Sequence, residues 1–131
     1  MAWKIMLQTF AGTVIHGEKV GRTIEFPTAN LDFVPSEVIL KVGVYFGSCT
    51  VNGNTFDCLP YFGPRLIFGE VNNIFEVYIF DFAEEIYDQK IEIHITDFLR
   101  SPVKVNSLEA LKALLENDKA NGQKLRLQKK V

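Results

Sequence analysis

The chain has 131 residues, 47% of them hydrophobic and eleven of them phenylalanine, with a net charge of −2. That length suits one domain with a full core. The slightly acidic balance argues against a dedicated nucleic-acid binder, and no apolar run is long enough to cross a membrane.

Residues Met1 to Phe10 lack the long apolar stretch and small-residue cleavage site of a secretory signal, so a reduced, cytoplasmic protein is expected. A first strand is predicted over Phe10 to His16, breaking at Gly17. A charged turn follows, then Gly21-Arg22 and Phe26-Pro27-Thr28-Ala29-Asn30. Pro27 fixes its own φ and holds Phe26 extended. If the chain stays extended past Pro27, Thr28 and Asn30 share a side, because strand side chains alternate. A hydroxyl and an amide oxygen side by side, near a glycine turn with a cation, suit a magnesium–phosphate complex. Taken singly, Gly17 and Gly21 also suit a plain hairpin turn, and Thr28 and Asn30 suit turn or cap positions.

Strands are predicted next over Gly43 to Val51 and Thr55 to Phe62, around the hairpin signal Asn52-Gly53. Cys49 and Cys58 flank that turn and read as buried free thiols. With His16 and His94 they show no metal-ligand spacing. A strand over Ile74 to Phe82, IFEVYIFDF, is apolar on both faces, so Glu76 sits among aromatics. Desolvation raises such a carboxyl from about 4.3, toward the range of a general base. Pairing with Arg65 or Arg100 is the competing reading. After a connection over Ala83 to Gln89, Lys90 to Phe98 alternates, with Ile91, Ile93 and Ile95 inward and Glu92, His94 and Thr96 outward. Short turns between consecutive strands imply antiparallel pairing, and closure removes exposed edges.

A helix is predicted from Ser107 to about Asn117, capped by Asn106 with Glu109 three residues on. Leu108, Leu111 and Leu115 form its packing stripe, with Leu114 beside it. Gly122 is expected to end ordered helical structure. One domain therefore spans residues 1–121, with a solvated basic tail over 122–131.

The pattern G-x-V-x-x-G from Gly12, then Gly21-Arg22 and Phe26-Pro27-Thr28-Ala29-Asn30, resembles that of riboflavin kinase, free-standing or as a module of bacterial FAD synthetase. The resemblance continues through Gly43-Val44-Tyr45, Gly63-Pro64-Arg65, Phe75-Glu76-Val77, Asp81-Phe82, Tyr87, Phe98-Leu99-Arg100, Ser107 to Leu111 and Asp118. It implies a mainly β fold, a six-stranded antiparallel closed barrel with one C-terminal α-helix. It also implies an ATP:riboflavin 5′-phosphotransferase that makes FMN and ADP and uses Mg²⁺. By resemblance Glu76 is the catalytic base, and Thr28 and Asn30 hold the metal. Gly17, Gly21, Arg22, Thr28, Ile79, Asp81 and Tyr87 contact the nucleotide, and Arg100, Val103 and Val105 lie at the flavin.

The chain departs from the family at three places. Glu25 replaces a glycine, Leu66-Ile67 replaces Pro-Thr, and Pro102, Val103 and Val105 replace a glutamate, a lysine and a phenylalanine. A non-catalytic flavin- or nucleotide-binding barrel is the alternative, and Thr28, Asn30 and Glu76 together favour the kinase. The expected partners are riboflavin, FMN, ATP and ADP, with no nucleic acid and no membrane. The protein is expected to be a monomer, and the lack of an adenylyltransferase region in these residues points to the free-standing form.

Overall fold

A computed structural model describes residues 8–16, 28–65, 69 and 71–129. Six antiparallel strands are joined in the closed order β1-β2-β5-β4-β3-β6. They are β1 (Gln8–Ile15), β2 (Ala29–Leu31), β3 (Gly43–Val51), β4 (Asn54–Pro64), β5 (Asn73–Ile79) and β6 (Lys90–Arg100), followed by one helix, α1 (Leu108–Lys129). All the strand pairs are antiparallel, as the short connections predict.

Alternation along each strand sorts the side chains onto two faces. Val14, Phe62, Phe75, Val77, Ile93 and Ile95 belong to the cluster that fills the barrel. Phe46, Leu59 and Phe80 form a second cluster with Tyr78, Leu99 and Leu125. Phe46 adjoins inward Tyr45, Leu59 adjoins Cys58 and Tyr78 sits between Val77 and Ile79, so this second cluster lies on the barrel's outer face. Helix α1 covers it. The strand β5 therefore has two apolar faces, as its sequence implies.

The β3–β4 hairpin turns at Asn52 and Gly53, with φ of 50° and 81°. Positive φ at both central residues is the condition that Asn-Gly meets. Both cysteines are buried and free, and burial pushes the Cys49 thiol up to about 12.

Two expectations are corrected. The strand predicted to reach Phe82 ends at Ile79: Phe80 N–H still donates to the carbonyl of Asp57, next in register, at 2.9 Å, but Asp81 takes a left-handed φ of 57° and breaks the extended run. The helix begins one residue later and ends much later than predicted. Ser107, not Asn106, caps it, its Oγ accepting from Ala110 N–H at 3.1 Å. The helix then runs through Gly122 to Lys129, so most of the expected basic tail is helical. Gly122 is not a terminator but a close-approach residue. A Cβ there would lie 2.8 Å from Phe80 Cζ and 3.0 Å from Leu59 Cδ2. Leu108 is exposed, and the buried residues of the helix are Asp118 and Gly122.

Candidate functional site

Glu76 lies on β5 between Phe75 and Val77, both inward, and so projects from the outer face. In register it pairs with Asn30 of β2 on one side and Tyr61 of β4 on the other. The expected alternation of Thr28 and Asn30 brings both to it. Thr28 Oγ1 donates to Glu76 Oε2 at 3.0 Å. Asn30 Oδ1 accepts from Arg65 Nη2 at 3.3 Å. Burial pushes the Glu76 carboxyl above its ordinary value; the Thr28 hydroxyl and the Arg65 guanidinium oppose that rise. The result is a carboxylate, a hydroxyl, an amide oxygen and a guanidinium gathered from three separate segments.

A cleft of about 480 Å³ opens beside this group, lined by residues that include Val14, Thr28, Ile79, Phe82, Ile86 and Tyr87. Its size suits a small-molecule ligand. One wall is the β5–β6 connection, which is tied to β1 by Val14 N–H to Gln89 O at 2.9 Å and Asp88 N–H to Val14 O at 2.8 Å. The ring of His16 stacks on Tyr87 at 3.8 Å and 18°. Thr28 belongs to both the cleft and the polar group, and Glu84 and Glu85 also line the cleft.

The sequence-derived residues divide accordingly. Thr28, Asn30 and Glu76 meet, and Ile79 and Tyr87 line the cleft with Thr28. Asp81 does not line it; its carboxylate is bound by Arg126 Nη2 at 2.8 Å. Arg100 lies on the same outer row as Glu76, with Tyr61 and Val44 between them. It is not paired with Glu76. Its Nε and Nη2 both donate to Asp118 at 2.6 Å, and Nη1 donates to Ser101 O at 3.1 Å. Val103 is half-exposed and Val105 partly buried, both in the segment between β6 and α1. Gly17, Gly21, Arg22 and the departures at Glu25 and Leu66-Ile67 lie outside the described residues.

Two further residues bear on the site. Arg65, named at first only as a pairing partner, touches Asn30. Tyr61 stands between Glu76 and Arg100, and its phenol is pushed up to about 12, by burial and by the Glu76 charge, against the pull of Arg100. Strand alternation places Tyr61 outward, but register with Glu76 needs the fold.

Among the described residues no three His, Cys, Asp or Glu side chains group as a metal cage. The hard neutral oxygens of Thr28 and Asn30 fit Mg²⁺ only with further oxygens from a ligand.

Comparison with known proteins bears on the family and the fold. The family profile described as "Flavokinase: Riboflavin kinase" matches residues 7–126. A bifunctional riboflavin kinase/FMN adenylyltransferase of Listeria monocytogenes is 44% identical over 111 residues, covering 84% of this chain and 35% of that protein. The chain thus spans about a third of that relative's length. Among solved structures, a Streptococcus pneumoniae protein described as a macrolide-efflux protein aligns with TM-score 0.73 and 29% identity, over 88% of this chain and 38% of that one. The riboflavin kinase of Trypanosoma brucei shares the fold, with TM-score 0.60 and 20% identity over 92% of this chain and 80% of that one. The profile takes in all six strands and most of the helix, and the chain belongs to the riboflavin kinase family.

Proposed function

We propose that this chain transfers the γ-phosphoryl group of ATP to the ribityl 5′-hydroxyl of riboflavin, giving FMN and ADP. The observation that carries the reading is the junction at Thr28, which lines the cleft and also donates to the buried Glu76 carboxylate. Phosphoryl transfer asks a protein for positioning and charge neutralisation more than for covalent chemistry.

The nucleobase occupies the cleft between Ile79 and Tyr87, with its phosphates toward Thr28. The residues Gly17, Gly21 and Arg22 supply backbone N–H groups and a cation to those phosphates. Glu76 takes the proton of the 5′-hydroxyl as the new O–P bond forms and the bond to the β-phosphate oxygen breaks. A carboxyl raised by burial is better matched to that task than an exposed one. Riboflavin approaches along the outer face, where Tyr61 stands between Glu76 and the segment holding Val103 and Val105.

Thr28 and Asn30 would hold Mg²⁺ together with phosphate oxygens, and the ion would supply charge neutralisation at the triphosphate. The Thr28 hydroxyl is bonded to Glu76 and the Asn30 amide oxygen to Arg65. Both bonds are single and neutral on one side, so exchange for a metal costs little beyond what phosphate contacts return. This is why the metal is expected with the nucleotide rather than before it.

The deciding experiment is incubation of the protein with riboflavin, ATP and Mg²⁺, with FMN read by chromatography. FMN formation that needs all three components supports the reading. Absence of FMN, with riboflavin still bound, would favour a binding barrel.

A further inference from the structure

Arg126 lies in the last turns of α1, in the stretch whose sequence reads as a basic tail. All three of its nitrogens are engaged. Nε donates to Asp57 Oδ2 at 2.8 Å, Nη2 to Asp81 Oδ2 at 2.8 Å and Nη1 to Gln123 Oε1 at 3.1 Å. Its carbon ζ sits 4.8 Å from the centroid of the Phe80 ring, within cation–π range. The side chain is 16% exposed, whereas that of Asp81 is 74% exposed. Asp81 on its own has little to hold it: it sits in a left-handed turn at the end of a strand.

That turn is where the cleft wall begins. Ile79 ends β5, and Phe82, Ala83, Glu84, Glu85, Ile86 and Tyr87 follow along the cleft. The far end of the wall is tied to β1 through Asp88 and Gln89. The near end is tied by Phe80 N–H to Asp57 O and by the Arg126 bridge. Asp57 lies within β4 and Asp81 just past the end of β5, and one guanidinium joins both to the helix.

We propose that Arg126 is a positioning residue for nucleotide binding: it clamps the Phe80–Asp81 turn and thereby fixes the wall formed by residues 82–87. Asp81 serves the nucleotide through this clamp rather than by contact. The inference rests on the reading of the cleft as the nucleotide site, and its test separates the two.

Amide hydrogen exchange of the segment 82–87, without any ligand, tests the clamp alone. Arg126→Met keeps the alkyl stem over Phe80 and removes the charge; Asp81→Asn removes one arm of the bridge. Both should speed exchange in that segment, and the double variant should be little faster than Arg126→Met, because the two act through one bond. Unchanged exchange in both variants, or effects that simply add, overturns the clamp. Titration with Mg·ATP then tests its consequence. A wall in place a third to a tenth of the time lowers apparent affinity by about 3–10-fold. The KM for ATP of Arg126→Met should rise by a like factor, while kcat at saturating ATP holds. Equal affinities of variant and wild type, with exchange accelerated, overturn the link to the nucleotide. Wild-type protein that binds no nucleotide at all, with exchange in the variants behaving as expected, sinks the functional reading and leaves the clamp standing.

Discussion

The outer face of the barrel carries charge in two regions, and the two spend it differently. Around Glu76, among the described residues, the bonds are of ordinary length, 3.0 Å from Thr28 and 3.3 Å between Asn30 and Arg65. Along the helix the bonds are multiple and short. Arg100 binds both oxygens of Asp118 at 2.6 Å, and Arg126 spans two aspartates at 2.8 Å. Ion pairs of the second kind are bidentate, strong and geometrically fixed. They leave little capacity for a ligand. The first kind is longer and more readily exchanged, beside a carboxyl whose charge is disfavoured by burial. Within one barrel face, short bidentate pairs join helix to barrel, and longer bonds surround the buried carboxyl.

The comparison breaks first at Glu76. Glu76→Gln keeps the shape and can still accept from Thr28, but it loses the proton acceptor. Rate loss on the order of 10²–10⁴ is expected, the usual range for a general base, with the unfolding midpoint and nucleotide affinity little changed. FMN assays beside a urea titration would read both. Near-wild-type turnover would remove Glu76 from the role and with it the distinction drawn here.

Asp118→Ala is the mirror case. Asp118 is 3% exposed and Arg100 is 20% exposed, so truncation leaves a largely buried guanidinium without its carboxylate. Breaking such a pair costs about 3 kcal/mol. The loss should appear as a lower urea midpoint at unchanged slope. A loss within the range of a surface pair, below about 1 kcal/mol, would mean that the short contacts carry little net energy.

Gly122→Val sharpens the helix side. The added side chain meets Phe80 and Leu59 inside normal contact, and both belong to the buried outer cluster. Overpacking of about 2 kcal/mol is expected, against no gain in helix propensity for a β-branched residue beyond what Gly forfeits. Thermal unfolding checks it. A stability equal to wild type would show that α1 can lift from the barrel without cost.

How much of this was legible in the sequence follows the same division. The strands of the barrel announce themselves through period-two apolar patterns, and β3 begins and ends where Gly43 and Val51 predict. Thr28, Asn30 and Glu76 are legible too, because two lie one strand period apart and the third breaks an apolar run. The helix end is not. Glycine more often follows a helix than packs inside one, so Gly122 reads as a stop. The spacing of Leu111, Leu115, Asp118, Gly122 and Leu125 continues the helical face, and it carries the signal that could have extended the helix. The ion pairs were out of reach. Asp57, Asp81 and Arg126 are distant in sequence, and only the closed barrel brings them together. Arg100 is placed at the flavin by resemblance alone, and its bond to Asp118 joins β6 to α1, a contact that also needs the fold.

The smallest expected effect is at Asn30, and it bears on whether the loosely held group is a metal site at all. Asn30→Ala removes one neutral oxygen from a set that a nucleotide's phosphates complete. Nucleotide affinity in Mg²⁺ should fall by about 3–10-fold, roughly the worth of a single net polar interaction. With EDTA present, variant and wild type should bind equally weakly, because the amide oxygen then has no cation to ligate. Excess Mg²⁺ should restore part of the loss, since mass action offsets a weakened ligand set. Calorimetric titrations of both proteins, with and without Mg²⁺, give the four affinities required. A loss of the same size in EDTA would mean that Asn30 acts through Arg65, to which its oxygen is bonded, by holding that guanidinium near Glu76. The polar group would then be an electrostatic frame for the carboxylate, and the metal would have to be held elsewhere.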